Sequence, residues 1–209
     1  MGFLRNAIPN LHKNMNFMLW MKDFTHFGLA STLLFVMLGI ILTIILQSSS
    51  AFIAFVFVLC QSGWLRFDLA AAMVIGANIG TTYTALLASI IANASAKRAA
   101  LFHLLFNLFG AFWILLIFNP FLSVIDQIVF ILRGTSSFVQ LSAIPLGLSL
   151  VHAGFNLFTT LILIWFVPTI TQLLERIIPV KKEEKHQHTF TYIDSPNSFY
   201  IRVECLPGA

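Results

Sequence analysis

The sequence predicts an all-α, polytopic membrane protein built on a re-entrant helical hairpin and a broken transmembrane helix. Three observations carry that expectation. Hydrophobic residues make up 58% of the 209 residues, charged residues only 10%, and mean hydropathy is +0.89, whereas a soluble domain carries about 25% charged residues. The 12 basic and 8 acidic side chains leave four uncharged runs, 24–65, 69–96, 99–125 and 134–174, each long enough to supply the roughly 20 residues of a spanning helix. Two polar breaks, Gln47-Ser48-Ser49-Ser50 and Gly76-Ala77-Asn78-Ile79-Gly80-Thr81-Thr82, interrupt the first two runs. Unpaired amides and hydroxyls in hydrocarbon cost several kcal/mol each, so irregular polar backbone survives at membrane depth only where it lines a protein-enclosed cavity.

Three regions follow from the composition. Residues 1–25 mix Arg5, His12, Lys13 and Lys22 with Ile8, Leu11, Met15, Met18 and Leu19. Their spacing of three and four fits an amphipathic interfacial helix, and a soluble connector fits as well. No cleavable signal is evident there, since no small-residue cleavage pattern follows a short apolar core. Residues 26–179 form the transmembrane unit. Residues 180–209 are a polar tail that opens with Lys181-Lys182-Glu183-Glu184-Lys185, too short to bury its own core and readable as the start of a soluble regulatory domain.

Within the transmembrane unit, Gly28–Leu46 reads as one helix and Ala51–Cys60 as a second, shorter arm. Ten residues reach about 15 Å, half of a bilayer core, so this arm turns back with the serines at the tip. Asp68–Asn93 is a further segment that the Gly76–Thr82 loop divides into two half-helices, with Ala70, Ala71, Ala72, Ala85 and Ala88 as small packing residues. Lys97 and Arg98 precede a helix from Ala99 to Phe118, stopped at Asn119-Pro120, and Phe121–Leu132 reads as interfacial because of Asp126 and Arg133. Leu141–Leu174 carries Pro145, Gly147, Gly154 and Pro168 and is a single kinked helix or a short piece followed by a spanning one. A small repeat links the last two helices: His103-Leu104-Leu105-Phe106-Asn107 and His152-Ala153-Gly154-Phe155-Asn156. Duplicated elements of this kind are common in transporters.

The breaks suggest chemistry of both signs. A half-helix that starts at Ala51 offers unsatisfied amides, the positive dipole end and the hydroxyls of Ser48, Ser49 and Ser50 to an anion. The carbonyls that end the preceding arm, with Gln47, offer hard oxygen ligands to a cation such as sodium. Gly76 and Gly80 permit close approach of backbone, and Asn78, Thr81 and Thr82 supply a second polar wall. His103 and His152, each one turn from Asn107 or Asn156, are candidate accessory residues, as proton carriers or as hydrogen bonds between helices.

The sequence argues against other classes. The net charge of +4 sits largely at Lys97/Arg98 and at Lys181, Lys182 and Lys185, at the ends of apolar segments rather than in a patch, so a nucleic-acid partner is not indicated. Those clusters mark cytoplasmic ends under the positive-inside rule. Cys60 and Cys205 stand apart and imply neither a disulfide framework nor a zinc site. Arg66 and Asp68 beside Trp64 read as an interfacial anchor. No charged residue lies deep in a run, the serines lack a Gly-x-Ser-x-Gly context, and no Gly-rich phosphate loop occurs, so an enzyme is not expected.

The chain resembles the type II sodium-dependent phosphate cotransporter family, marked by a Gln-Ser-Ser-Ser run and, about 30 residues later, a Gly-Ala-Asn-Ile-Gly-Thr-Thr loop. Gln47–Ser50 and Gly76–Thr82 match both, and the similarity continues through Lys97–His103, Phe106-Asn107, His152–Asn156 and Trp165–Pro168. The resemblance implies half of an inverted-repeat transporter, most like the second repeat of a bacterial member. The family's other repeat is not present in this chain, so an N-terminal repeat or a second copy would complete the site. Carried over position by position, Gln47, Ser48, Ser49 and Ser50 are hairpin contacts, and Asn78, Gly80, Thr81 and Thr82 contacts of the broken helix. Sodium would be held through Gln47, Ser49 and Thr81.

The function expected is sodium-coupled symport of inorganic phosphate in a multi-pass protein of the inner, cytoplasmic cell membrane. No cofactor is implied beyond sodium as coupling ion; the partners are phosphate, sodium and the lipid bilayer. The alternatives are transport of another oxyanion, or a non-transporting membrane protein in phosphate sensing.

Overall fold

The structure, a computed structural model, describes residues 28–179. The amphipathic segment expected over 1–25, the tail expected over 180–209 and Cys205 lie outside the described residues. Those described fold into α1 (Leu29–Leu46), α2 (Ser49–Gln61), α3 (Phe67–Gly80), α4 (Thr82–Ser89), α5 (Ala94–Leu116), α6 (Phe118–Arg133), α7 (Ile144–Leu163), a 3-10 turn (Ile164–Phe166) and α8 (Val167–Ile177), with no strand among them. Four stretches are long and apolar enough to cross a membrane: Leu29–Leu46, Phe67–Ser89, Ala94–Leu116 and Ile144–Ile177.

The centre of the bundle is α3. It is buried on all sides, with Ala70, Ala71, Ala72, Val74 and Ile75 fully covered, because its small residues let neighbours approach the backbone. Its closest neighbour is α1. A Cβ on Gly39 would collide with the Met73 carbonyl, one on Gly76 with the Val36 carbonyl, and one on Gly80 would sit 2.8 Å from the Ile40 carbonyl oxygen. Two helices therefore meet main chain to main chain. On the remaining sides Phe52 and Val56 of α2, Ile114 of α5, and Leu148, Val151 and Phe155 of α7 complete the core.

The expected loop over Gly76–Thr82 is a correction. The chain stays helical through Gly80, and the interruption is confined to Thr81, itself helical at φ −64°, ψ −24°. Glycine breaks helices in water, where it exposes backbone. Here Gly76 and Gly80 lie one turn apart on the face that receives α1, and packing holds them helical.

One end of the bundle gathers the start of α1, the end of α2 and the starts of α3 and α7. Gly28 and Leu29 share a cavity wall with Asp68, Leu116 and Asn119, the Gln61 side chain donates to the Leu141 carbonyl at 2.9 Å, and Gly147 packs on the Phe67 ring. Arg66 and Asp68 pair there at 2.9 Å. The α1–α2 pair is thus a hairpin whose two ends lie together. The helix expected to begin at Ala99 begins at Ala94, because the Asn93 side chain caps it by accepting the Ala96 N–H at 2.9 Å; it ends at Leu116 rather than Phe118. Pro120 falls in the first turn of α6, where its missing N–H is harmless. Asp126 of α6 accepts from Ser136 Oγ at 2.8 Å and Ser137 N–H at 2.6 Å, tying down the loop that leads into α7. The run after that loop is helical from Ile144 to Ile177, with a 3-10 turn at Ile164–Phe166 just ahead of Pro168.

At the opposite end, Arg98 at the start of α5 donates through Nε and Nη2 to the Ile178 carbonyl at 3.0 and 2.9 Å, and through Nη1 to Glu175 at 3.5 Å. This clasp closes the last turn of α8, whose terminal carbonyls have no intrahelical donor. Arg98→Met should speed amide hydrogen exchange over residues 174–178 by about tenfold, since a half-wet charged hydrogen bond contributes about 1–2 kcal/mol. Unchanged exchange there would mean that the clasp carries no energy.

Candidate functional site

The hairpin tip is built by one residue in an uncommon conformation. Gln47 has φ +52°, the positive value of a non-glycine residue among those described, and it ends α1 by donating its N–H to the Thr43 carbonyl at 2.8 Å. A side chain in the left-handed region costs roughly 1 kcal/mol, and such strain concentrates at functional sites. Ser48 follows in an extended conformation and starts α2, its Oγ accepting the Ala51 N–H at 3.3 Å and lying 3.3 Å from Ser50 Oγ. Only Gln47 and Ser48 form the turn. Ser49 and Ser50, expected to belong to the break, occupy the first turn of α2, where N–H groups have no intrahelical acceptor.

Both polar breaks lie at the same level of the bundle. Gly80 would carry its Cβ 2.9 Å from Thr43 Cβ, and the Thr43 carbonyl is the one that Gln47 bonds. One helical turn of α1 thus separates the level of Gly80, the last residue of α3, from the tip of the hairpin. Exposure differs between the two. Gln47 and Ser50 are exposed and Ser48 and Ser49 half-buried, while Asn78 and Thr82 are buried and Thr81 half-buried.

The hydrogen bonds sort these groups by the charge that they suit. Thr81 Oγ1 donates to the Asn78 carbonyl at 2.8 Å and Thr82 Oγ1 to the Ile79 carbonyl at 2.7 Å. A hydroxyl whose proton is committed keeps only lone pairs and can serve a cation, not an anion. Asn78 is the converse: its Nδ2 is buried without a partner, a donor open to an anion. On a helix of 3.6 residues per turn, Asn78 lies roughly opposite Gly76 and Gly80, so it projects away from α1.

The histidines do not join this cluster through hydrogen bonds. Asn107 Nδ2 donates to the His103 carbonyl at 3.0 Å and Asn156 Nδ2 to the His152 carbonyl at 2.9 Å, so both repeat units use the asparagine in the same way, within their own helix. Among the described residues neither imidazole has a hydrogen bond. His103 is exposed beside a cavity of about 480 Å³ walled by alanines of α4 and α5, among them Ala88 and Ala99. The two related helices do touch: a Cβ on Gly110 would collide with Thr159, and these residues stand at equivalent distances from His103 and His152. Sequence reasoning passed over Gly39 and Thr43, which look like ordinary members of an apolar run.

The model of the Na+/Pi-cotransporter family matches residues 12–160, which include the hairpin, the α3–α4 break and both histidine units. The chain belongs to the Na+/Pi-cotransporter family. Among curated relatives, an uncharacterized protein, YqeW, of Bacillus subtilis is 30% identical over 147 residues, covering 69% of this chain and 43% of the relative. The putative inorganic phosphate export protein YjbB of Escherichia coli is 34% identical over 146 residues, 70% of this chain and 25% of that protein. The human sodium-dependent phosphate transport protein 2C is 47% identical over 79 residues, 36% of this chain and 13% of its own. The match therefore spans less than half of the length of these relatives. No solved structure matches the chain.

Proposed function

We propose that this member of the Na+/Pi-cotransporter family carries inorganic phosphate across the inner cell membrane, driven by sodium, with both bound between Gln47–Ser50 and Asn78–Thr82. The observation that carries the reading is the placement of the two breaks at one level: Gly80 against Ile40 and Thr43, and Gln47 bonded to Thr43. Phosphate takes the donors, namely the first-turn amides of α2, the serine hydroxyls and Asn78 Nδ2. Sodium takes oxygens from Gln47, Ser49 and Thr81 at the carbonyl end of α1. In this reading the hairpin is re-entrant, because the 13 residues of α2 rise only about 20 Å, short of the roughly 30 Å bilayer core, and the two ends of the hairpin lie together. Lys97 and Arg98 stand at the cytoplasmic end, where the chain also leaves at Ile178.

The topology supports the half-transporter reading. From Gly28 the chain enters at one end of the bundle and after three further crossings leaves at the other, so a tandem duplicate would sit inverted. A second repeat, from another segment or another copy, supplies the facing wall of the exposed tip.

Purified protein in proteoliposomes should take up radiolabelled phosphate only with an inward sodium gradient, and Ser49→Ala should cut that uptake at least about tenfold, the effect of one charged hydrogen bond. Sodium-independent uptake would refute the coupling. Because a relative is named as a phosphate export protein, efflux from loaded vesicles is measured alongside; efflux without uptake would reverse the direction while keeping the site. Sulfate or a dicarboxylate that competes as well as phosphate would move the assignment to a broader oxyanion carrier.

A further inference from the structure

We infer that Thr43, which lies outside both sequence motifs, is a direct ligand of the coupling cation at the carbonyl end of α1. The inference rests on the sodium-coupled reading above and adds a residue to it. Thr43 is 1% exposed, and its Oγ1 has no hydrogen-bond partner. Buried hydroxyls on other helices satisfy themselves: Thr82, Ser89 and Thr159 each donate to a carbonyl three or four residues back, at 2.7, 2.7 and 2.8 Å. Thr43 does not, so a buried oxygen that is costly to leave unpaired awaits a partner.

The surroundings choose the sign of that partner. The carbonyls of Ile44, Ile45 and Leu46 lose their intrahelical donors where the chain turns left-handed at Gln47, and they form the negative end of the α1 dipole. Across from Thr43 stands Gly80, whose missing side chain leaves α3 backbone directly against it. Drawn together around an ion, this hydroxyl, the free carbonyls one turn on and the Gln47 amide oxygen would supply an all-oxygen, uncharged set suited to a small monovalent cation. No carboxylate lies in the surrounding run 24–65, so the cation's charge is left to be balanced by the helix dipole and by the anion held one turn away on α2. Each ion then raises the affinity for the other, as linkage requires.

The test compares the full chain, its Thr43→Val and its Thr43→Ser variant in detergent, by thermal unfolding in sodium chloride against choline chloride. In choline, Thr43→Val should melt at or above the parent temperature, since valine fills the space without the unpaired hydroxyl. Sodium should raise the melting temperature of the parent and of Thr43→Ser by several degrees. For Thr43→Val it should do so only at a concentration at least about tenfold higher. If Thr43→Val keeps the parental sodium response, the assignment of Thr43 is overturned and the sodium-coupled reading stands; a hydroxyl serving only a buried water gives this result. A parent that does not respond to sodium overturns that reading and this inference together. A Thr43→Val protein that melts several degrees lower in choline shows a structural partner for the hydroxyl and also overturns the inference.

Discussion

Gly76→Ala should leave little folded protein in the membrane. The added methyl group would stand far inside the contact distance of the Val36 carbonyl and about as near to the Ile40 nitrogen, 3.1 Å away, as any Cβ can come. Neither is the flexible end of a side chain. To clear them α1 and α3 must separate by roughly 1 Å along an interface packed to interior density, at a cost of about 3 kcal/mol or more. Alanine returns only about 1 kcal/mol through its better helix propensity, so the collision wins. Gly134→Ala is the control, because a Cβ there meets nothing within 4 Å and strains only a residue at φ +70°; its cost is roughly 1 kcal/mol. Monodisperse yield after detergent extraction should fall at least fivefold for Gly76→Ala and hardly at all for Gly134→Ala. Equal yields would show that α1 and α3 can part freely, and the fixed spacing between the two polar breaks would be lost with that result.

Asn78→Leu should separate binding from stability. Its Nδ2 is buried and unpartnered, so removing the amide removes a desolvated donor, and the melting temperature in phosphate-free buffer should stay level or rise. Phosphate affinity should move the other way. A hydrogen bond to a charged group is worth about 1.5–3 kcal/mol, or roughly 10- to 150-fold at 1.4 kcal/mol per decade. Asn78→Asp should lose binding as well, and melt lower, because it buries an unpaired carboxylate facing an anion. The measurement is phosphate-dependent thermal stabilisation together with vesicle uptake. Should Asn78→Leu bind phosphate as the parent does, the donor belongs to packing and the anion lies wholly against the serines.

Much of this arrangement can be read from the sequence, and the exceptions share a cause. Four contiguous polar residues in an uncharged run of 42 leave a chain in lipid few options other than a hairpin, so Gln47–Ser50 gives itself away. By local rules Gly76–Thr82 reads as a loop, because glycine, asparagine and threonine disfavour helix in water, and those rules do not record that a neighbouring helix needs the missing side chains. The same blindness hid Gly39 and Thr43: one matters for what its Cβ would strike, the other for a bond it does not make. Lys97 and Arg98 suggest a boundary at Ala99, yet Asn93 caps the helix five residues earlier, and Arg98 within its first turns turns its guanidinium onto the end of α8. The histidine repeat was visible, but its use of asparagine to bond its own carbonyl four residues back is not, since a buried Asn can equally reach another helix.

The central position of α3 bears on how the protein is made. Phe67–Ser89 has the lowest hydropathy of the four stretches long and apolar enough to cross a membrane, and its most apolar window is the one most covered by protein. The alanines, glycines and asparagine that let neighbours close around it are residues that partition poorly into lipid on their own. The hairpin precedes this segment in the chain and offers it a proteinaceous lining, so damage at the crossing of α1 and α3 should register first as failed integration into the membrane.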